Sequence, residues 1–439
     1  MKFSNLPLSL TDMSAPVIGI ASRTQTPKGL RLHIGLFGRR NAGKSSLINA
    51  LTNQKIAIVS DVPGTTTDPV EKACELAPIG PVVFIDTAGV DDVGELGGLR
   101  TERSLAVLGW VDVALIVCDA KALTESELEL IRTVKSTATP TVVVLNKADT
   151  ADAKELIATQ EQVRSLGYEP VTVCASQKLN IDAVREAIVK LAQNAVEPDL
   201  PLLGDLVHPG DTVMLVTPID TGAPKGRMIL PQVQAIREVL DADAKCIVVR
   251  ENRLAETLTN EKEPPAFVVT DSQVVQSVVA QTPKTIPVTT FSIQMAYSKC
   301  DLVEMARGAA MIDFLRPGDK VMICETCSHH PQPDDIGRKK LPRWLAKKVG
   351  GDLDIEVVVG KDFPVDLTPY KLILQCGGCV VTRRHMLTRL AQAKRQNIPM
   401  TNYGVAISHL QGVLERALEL HPKALKAFHE AREIFANHF

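Results

Sequence analysis

Short apolar runs alternate with helix-like stretches along this chain, and polar or glycine-rich turns separate them. In the first part of the sequence, apolar runs of strand length cover residues 31–37, 82–85, 114–118 and 141–145. A helix-like stretch follows the first run at 47–51. Runs this short that end in turn residues are typical of buried strands. The pattern therefore predicts an α/β fold.

The alternation continues after a stretch at 197–210 whose prolines and glycines predict a linker. Strand-like and helix-like stretches then alternate at 211–219, 230–240, 244–249, 253–259, 266–270, 273–280 and 286–290. A third group has strand-like stretches at 319–323, 355–359 and 371–374, a basic amphipathic stretch at 336–349 and a helix-like stretch at 383–396. Each of these groups predicts a small, mostly parallel sheet.

Composition and charge exclude several classes of protein. The 439 residues include 49 lysines and arginines against 51 aspartates and glutamates, so the formal net charge is -2 and no overall basic field attracts nucleic acid. The longest apolar run, 105–118, is interrupted by Asp112 and cannot span a bilayer. The first residues lack the apolar core of a secretory signal. We therefore expect a cytoplasmic protein that binds neither nucleic acid nor membrane.

The run at 31–37 leads directly into a Gly-x4-Gly-Lys-Ser sequence, and helical residues follow it. Between a strand and a helix, this spacing indicates a phosphate-binding loop. Its backbone would surround the phosphates, Lys44 would neutralise the β and γ oxygens, and the Ser45 hydroxyl would bind Mg²⁺. The predicted nucleotide contacts in this loop are Gly38, Asn41, Ala42, Gly43, Lys44, Ser45 and Ser46.

Three later segments follow in the order expected of a GTPase. Thr66, in a turn-rich stretch, can offer a hydroxyl to Mg²⁺. The strand-like run at 82–85 ends in Asp-Thr-Ala-Gly, where Asp86 can hold the metal through water and the Gly89 N–H can sense the γ-phosphate. Lys44, Thr66, Asp86 and Gly89 are the predicted catalytic residues.

The third segment follows the run at 141–145 and specifies the base. It is Asn146-Lys147-Ala148-Asp149, whose Asp149 carboxylate can accept two hydrogen bonds from guanine. Adenine lacks the exocyclic amine and would leave this acceptor unpaired, at a cost of about 1–3 kcal/mol. The sequence predicts GTP as the nucleotide.

These motifs resemble the branch of translation-factor-like GTPases that includes MnmE and Der. The resemblance implies that Thr66 is the switch I threonine and that Cys174 and Ala175 belong to the guanine-binding loop, with Cys174 at a position where serine is usual. It also implies that Asn41 helps to bind K⁺ beside the phosphates, so that hydrolysis is stimulated by potassium. Val90 stands where Ras-like proteins have a glutamine that orients water, which leaves the water-positioning residue open.

The nine cysteines are the unusual feature of the composition, because cytosolic proteins do not form disulfide frameworks. Four of them form two Cys-x-x-Cys pairs, Cys324 with Cys327 and Cys376 with Cys379, and each pair follows a predicted strand. Loops at the carboxyl ends of parallel strands converge, so the pairs should meet. Four thiolates suit structural zinc. A separation of 48 residues and flanking histidines favour instead an iron-sulfur cluster with three thiolates.

The whole chain resembles the HydF family, whose members are GTPases that mature FeFe-hydrogenase. That resemblance implies a 4Fe-4S cluster on Cys327, Cys376 and Cys379, with His329 as a possible fourth ligand. The family often has histidine before the second pair, where this chain has Gln375, so the fourth ligand stays open. Cys324 lies outside the family pattern and is a spare thiol, a substitute ligand or a packed side chain.

The resemblance also implies the function and the partners. The chain would be a GTP-hydrolysing scaffold that carries a di-iron precursor to apo FeFe-hydrogenase, working with radical-SAM maturases as a homodimer. Lys361, Arg383 and Arg384 are candidates to balance the charge of the precursor, although each is more simply a solvated surface residue. The alternative function is an RNA-modification or ribosome-assembly GTPase with a structural zinc domain.

The predicted fold is a P-loop GTPase domain followed by two smaller, mostly parallel α/β domains. At roughly 150 residues per domain, a chain of this length holds about three. The predicted boundaries are an N-terminal arm at 1–28, the GTPase domain at 29–196, the linker at 197–210, a dimerisation domain at 211–292 and an iron-sulfur domain at 293–439.

Overall fold

Three parallel or mostly parallel sheets organise the chain. The computed structural model describes residues 26, 28–52, 70–87, 106–137, 139–194, 200–219, 228–326, 335–360 and 363–437. In chain order, the sheets contain six, four and four strands. This arrangement confirms the predicted fold class, a P-loop α/β domain followed by two smaller parallel α/β domains.

The first sheet has the strand order β2-β3-β1-β4-β5-β6, and only β2 runs antiparallel to its neighbour. Every residue of β4 is buried, as expected for a central parallel strand covered on both faces. Its strands are β1 (Leu32–Phe37), β2 (Val70–Leu76), β3 (Gly80–Asp86), β4 (Val113–Asp119), β5 (Thr141–Asn146) and β6 (Val171–Thr172). Its helices are α1 (Lys44–Thr52), α2 (Glu125–Ser136), α3 (Ala153–Ser165) and α4 (Ile181–Asn194).

The middle sheet is entirely parallel, with the order β10-β9-β7-β8. Alternate residues of β7 pack into two separate cores, so both faces of this sheet are covered. Its elements are β7 (Thr212–Val216), α5 (Leu230–Asp241), β8 (Lys245–Val249), α6 (Leu254–Asn260), β9 (Phe267–Thr270), α7 (Val275–Gln281) and β10 (Val288–Thr290).

The described part of the predicted linker, residues 200–210, differs from a free connection. Leu202 and Leu203 are fully buried in the core of the middle domain. The Glu238 carboxylate accepts hydrogen bonds from the backbone N–H groups of Leu202, Leu203 and Gly204. Composition indicated a connection because prolines and glycines punctuate the stretch, whereas its leucines and one carboxylate on α5 attach it to this domain.

The last sheet is also entirely parallel, with the order β12-β11-β13-β14. Its strands are β11 (Lys320–Glu325), β12 (Asp354–Val359), β13 (Leu372–Gln375) and β14 (Met400–Asn402). The helices around it are α8 (Phe291–Lys299), α9 (Leu302–Ala309), α10 (Leu341–Val349), α11 (Arg383–Arg395), α12 (Tyr403–Leu410), α13 (Leu414–Ala417) and α14 (Pro422–Ala436). Strand β11 continues two residues beyond the predicted end at 323, which places Cys324 inside the sheet.

Across the described ranges, no helix combines the length and the apolar character needed to cross a bilayer.

Candidate functional site

The predicted phosphate loop lies at the carboxyl end of β1. Strand β1 is buried between β3 and β4, and it delivers the chain to Gly38, while Lys44 begins α1. The Nζ of Lys44 donates to the carbonyl oxygens of Gly38 (2.8 Å) and Arg39 (3.0 Å), so the loop is wrapped around its own lysine. Asn41 is exposed at the tip of the loop and has a φ of 62°.

Two of the three side chains predicted to hold Mg²⁺, Ser45 and Asp86, contact each other directly. Ser45 Oγ donates to Asp86 Oδ2 across 2.8 Å. Burial raises the pKa of Asp86, while this hydrogen bond and the charge of Lys44 act in the opposite direction. The second oxygen, Asp86 Oδ1, is buried and has no hydrogen-bond partner among the described residues. An orphaned carboxylate oxygen beside a serine hydroxyl fits a hydrated Mg²⁺ ion.

The predicted guanine-binding motif follows strand β5, which β4 separates from β1, and it meets the phosphate loop. Asn146 is buried, donates from Nδ2 to the Ala42 carbonyl (2.9 Å) and accepts at Oδ1 from the Ala175 N–H (3.0 Å). It therefore holds the phosphate loop and the later guanine loop together. Cys174 Sγ donates to Asp149 Oδ1 across 3.1 Å, so this cysteine orients the predicted base-reading carboxylate from behind.

A cavity of about 530 Å³ lies between the phosphate loop and the predicted guanine-binding motif. Its volume is within the range usual for small-molecule sites. It gathers eight of the predicted residues, whereas Gly38, Ala42, Cys174 and Ala175 support it without lining it. The lining residues are Asn41, Gly43, Lys44, Ser45, Ser46, Asn146, Lys147, Asp149, Thr150 and Ser176.

Sequence reasoning missed Asp119, which ends β4 between the phosphate loop and the base motif. Its carboxylate forms ion pairs with Lys147 (3.2 Å) and Arg39 (3.1 Å). Burial opposes ionisation, but the Lys121 N–H and these two cations outweigh it and lower the pKa of Asp119. An aspartate at the end of an apolar run was the signal in the sequence that could have identified it.

The predicted residues Thr66 and Gly89 lie outside the described residues.

The cysteine loop, residues 376–381, follows β13 at the carboxyl edge of the last sheet. The Cys376 N–H donates to the Cys324 carbonyl (2.9 Å), which continues the pairing of β13 with β11. The Thr326 N–H donates to Cys376 Sγ (3.2 Å), and Thr326 Oγ1 lies 3.1 Å from the same sulfur. Thr326 directly precedes Cys327, so topology does bring the two cysteine segments together. Cys327, His329 and His330 lie outside the described residues.

The second cysteine of the loop lies after the Gly377-Gly378 turn. Cys379 is half-buried and packs against the hydrophobic core of the middle domain, which includes Phe291 and Met295. Burial raises the pKa of its thiol, as does the nearby Cys376, whereas the charge of Lys299 lowers it.

Cys324 is packed in the core. Its side chain is fully buried with Met322 and Ile373 on the face of the last sheet that α9 and α11 cover. Burial raises the pKa of Cys324 to about 12, which keeps it a neutral thiol. Of the three roles left open for Cys324, the structure favours packing.

The side-chain oxygen of Gln375, the residue at the position where the resembled family often has histidine, is bound by an arginine. It is fully buried, and its Oε1 accepts from Arg389 Nη1 across 3.0 Å. Arg389 is itself 2% exposed and also donates to the Gly360 carbonyl (3.0 Å). This pairing turns Gln375 Nε2 toward Cys376 Sγ, 3.5 Å away. Gln375 therefore donates toward a sulfur. The sequence marked the residue but not its arginine partner.

The two described arginines proposed to balance a charged precursor have structural partners. Arg383 Nη1 donates to the carbonyl oxygens of Ser298 (2.7 Å) and Cys300 (3.0 Å). Arg384 Nη2 lies 2.9 Å from Thr139 Oγ1 in the first domain. Lys361 lies outside the described residues.

The described part of the chain contains no cluster of three or more His, Cys, Asp or Glu side chains that could hold a metal ion. The donor set that is present nevertheless fits an iron-sulfur cluster. Two thiols lie in one loop, N–H groups point at one of the sulfurs, and the adjoining segment carries a third cysteine.

Comparison with protein families covers most of the chain. The model described as "Hydrogen maturase F dimerization domain" matches residues 202–300, and "Hydrogen maturase F tetramerization domain" matches residues 303–420. The chain belongs to the hydrogen maturase F family. A third model, "50S ribosome-binding GTPase", matches residues 33–147 of this hydrogen maturase F member, which therefore carries a GTPase domain.

Curated relatives match the GTPase domain of this family member. The tRNA modification GTPase MnmE of Trichormus variabilis is 38% identical over 167 residues, which is 37% of this chain and 34% of that protein. GTPase Der of Wolinella succinogenes is 34% identical over 172 residues, covering 37% and 36% of the two chains. The chain thus spans about a third of the length of these relatives.

Among solved structures, Era of Aquifex aeolicus matches with a TM-score of 0.32 and 20% identity, over 52% of this chain and 97% of that one. The G domain of the T. maritima FeoB iron transporter has a TM-score of 0.30 and 23% identity, over 37% and 99% of the two chains.

Proposed function

We propose that this hydrogen maturase F member is a GTP-hydrolysing scaffold that holds a 4Fe-4S cluster and delivers a di-iron precursor to apo FeFe-hydrogenase. The observation that carries this proposal is the contact between Thr326 and Cys376, which joins the two cysteine segments in a chain that also contains a complete phosphate loop. Radical-SAM maturases that supply the precursor are the other proposed partners, and the cytoplasm is the proposed location.

GTP hydrolysis follows from the arrangement of the first domain. Water attacks the γ-phosphorus, the bond to the β–γ bridging oxygen breaks, and GDP and phosphate leave. Lys44 would give up its carbonyl partners and neutralise the phosphate oxygens, and Asp149 would read guanine. Ser45 and Asp86 would hold the Mg²⁺ that balances charge on the β and γ oxygens. Thr66 and Gly89 are proposed to complete the site from their loops, and Asn41 to bind K⁺.

Cluster binding is proposed for Cys327, Cys376 and Cys379, with His329 as a candidate fourth ligand. The bound cluster would supply an iron to which the precursor can bridge. The protein would shape the cysteine loop and direct hydrogen-bond donors toward the sulfur of Cys376. Thr326 and Gln375 both donate toward Cys376, and donors of this kind stabilise thiolate charge and tune the potential of a cluster.

Anaerobic reconstitution tests the proposal against its alternative, a GTPase with structural zinc. The full chain and its Cys327→Ser, Cys376→Ser and Cys379→Ser variants are loaded with iron and sulfide, and iron and zinc per chain are measured together with the cluster spectrum. We expect four irons in the wild type and loss of the cluster in each variant. Stoichiometric zinc without a cluster spectrum would contradict the carrier function.

Self-association is proposed to use the middle domain, in keeping with the dimerization domain matched there. Strand β8 is an edge of that sheet, and its Val248 is 42% exposed. On the adjacent helix α5, Val233 is 49% and Leu240 is 58% exposed. An unpaired parallel edge beside an apolar stripe is suited to pairing with a second copy.

A further inference from the structure

The cysteine loop packs against the first domain at the end of the sheet opposite the nucleotide cavity. Gly29, in the turn that precedes β1, approaches this loop so closely that a Cβ at this position would lie 2.4 Å from the Cys379 carbonyl oxygen. Only glycine fits such a contact without displacement. The two loops are separated by 350 positions in the sequence, yet their backbones touch.

A fully buried lysine joins these two backbones. Lys299, the last residue of α8, is 0% exposed. Its Nζ donates to the Gly29 carbonyl across 2.7 Å and to the Val381 carbonyl across 2.9 Å. One ammonium group therefore connects a helix between the last two sheets, the turn that leads into β1, and the cysteine loop.

The turn at 28–31 is firmly connected to β1. The Arg31 N–H donates to the Lys28 carbonyl (3.1 Å), and the His33 ring lies 3.2 Å from the same oxygen. The His33 N–H donates to Asp112 Oδ2 (2.8 Å). Strand β1 then runs through the core to Gly38, so Lys299 contacts the turn that leads into the strand carrying the phosphate loop.

A second contact secures the other side of the cysteine loop. Helix α11 follows the loop directly, and its His385 ring stacks on Trp110 of the first domain at a centroid distance of 6.4 Å. Arg384 from the same turn reaches Thr139. The cysteine loop is thus held between two contacts with the first domain, and Lys299 is buried within the first of them.

The charge of Lys299 lies directly beside the cysteine loop. A 4Fe-4S core with three thiolates is anionic, and each added electron increases that charge. A cation fixed in a buried site favours the more negative state, because protein surroundings screen it less than water does. Lys299 meets this condition, because it is fully buried and its Nζ lies 2.9 Å from the Val381 carbonyl, two residues after Cys379.

We propose that Lys299 is a positioning residue of the cysteine loop, which it fastens to the turn preceding β1, and that its charge stabilises the reduced cluster. The fastening is a property of the protein alone, whereas the charge role rests on the cluster binding proposed above. The two parts therefore have separate tests.

Hydrogen exchange of the full chain without iron tests the fastening. We expect Lys299→Met to raise the exchange rates of segments 28–31 and 376–382 together, by about tenfold, because both carbonyl partners are lost. Gly29→Ala should accelerate the same two segments by steric displacement while leaving the charge in place. The control is Lys426→Met, which removes an exposed lysine paired with Glu430. Unchanged exchange in both Lys299→Met and Gly29→Ala would overturn the fastening.

The potential of the reconstituted cluster tests the charge role. At a fixed solution potential we expect the ratio of reduced to oxidised cluster to fall about tenfold in Lys299→Met, which is 59 mV for a one-electron couple. Lys299→Arg keeps the charge and should stay within about threefold of the wild type, a rescue that a purely steric role would not give. Equal potentials in wild type and Lys299→Met would contradict the charge role. A wild type that binds no iron would instead contradict the proposed function, and the exchange result would still stand.

Discussion

The backbone N–H of Thr326 donates to Cys376 Sγ across 3.2 Å, and the Thr326 hydroxyl oxygen lies 3.1 Å from the same sulfur. The residue that follows β11 thus donates to the first thiol after β13. Because Cys327 is the next residue in the sequence, this contact brings the start of its segment beside Cys376.

Removing the threonine hydroxyl should weaken the cysteine site without removing a ligand. In Thr326→Val the hydroxyl contact is lost and the N–H contact remains, so we expect about two- to tenfold weaker iron retention during competition with a chelator, on the order of 1 kcal/mol for one hydrogen bond. The control is Thr401→Val, because the buried Thr401 hydroxyl has no hydrogen-bond partner among the described residues. Equal retention in both variants would show that the hydroxyl does not support the site.

Cys324 should be dispensable for the cluster. We expect Cys324→Ala to retain the full iron content, because its side chain packs in the core and burial keeps it protonated. The loss of a buried sulfur should lower the free energy of unfolding by about 1 kcal/mol. Cys118→Ala, a change at an equally buried cysteine in the first domain, provides the matched control in denaturant titrations. Loss of iron in Cys324→Ala alone would make Cys324 a ligand.

Base recognition should depend on the charge of Asp149. Asparagine at this position offers an amide donor where guanine also donates, so we expect Asp149→Asn to lower kcat/KM for GTP by at least about 100-fold. Xanthosine triphosphate, which has a carbonyl acceptor at the corresponding position, should become the better substrate. Glu161→Gln makes the same chemical change on an exposed helix surface and should leave both rates unaltered. If Asp149→Asn still preferred GTP to xanthosine triphosphate, Asp149 would not be the residue that recognises the base.

Potassium should accelerate hydrolysis through Asn41. We expect faster GTP turnover in K⁺ than in Na⁺ at equal ionic strength, and loss of this difference in Asn41→Gly. Glycine is the informative replacement because Asn41 has a φ of 62°, which glycine adopts freely whereas alanine would add strain. Equal turnover of the wild type in the two salts would contradict the proposed site.

Pairing through the middle domain should be sensitive to charge at β8 and α5. A carboxylate at Val248 or Leu240 would be buried in the proposed interface, so Val248→Asp and Leu240→Glu should shift the molar mass measured by light scattering from dimer to monomer. Ile157→Glu, at a 54% exposed residue of the first domain, should leave the mass unchanged. A dimer that persists in both middle-domain variants would place the interface elsewhere.

Much of the site could be predicted from the sequence because its chemistry is local. Gly-x4-Gly-Lys-Ser between a strand and a helix, and the Asn-Lys-x-Asp sequence after a second strand, specify backbone geometry over a few residues. The parallel order of the strands then brings such loops to one edge. The two Cys-x-x-Cys pairs were located for the same reason, since each follows a strand of one sheet.

The roles of individual residues within those motifs depended on contacts between distant segments. Cys324 looked like a ligand candidate in a pair, yet β11 runs two residues further than predicted and its pleat turns the thiol into the core. The composition of the stretch at 197–210 predicted a free linker. In the structure, the Glu238 carboxylate on α5 accepts hydrogen bonds from three of its backbone N–H groups.

By itself, the sequence determined three α/β units, a guanine-nucleotide site and two cysteine segments that converge, because strand length, turn residues and motif spacing are encoded within short windows. Only the tertiary structure decided that Arg389 turns Gln375 toward a sulfur and that Lys299 joins Gly29 to Val381. A buried cation needs acceptors that its own neighbours in sequence do not provide, so its partner could be found only where folding brings carbonyl oxygens from 82 and 270 positions away.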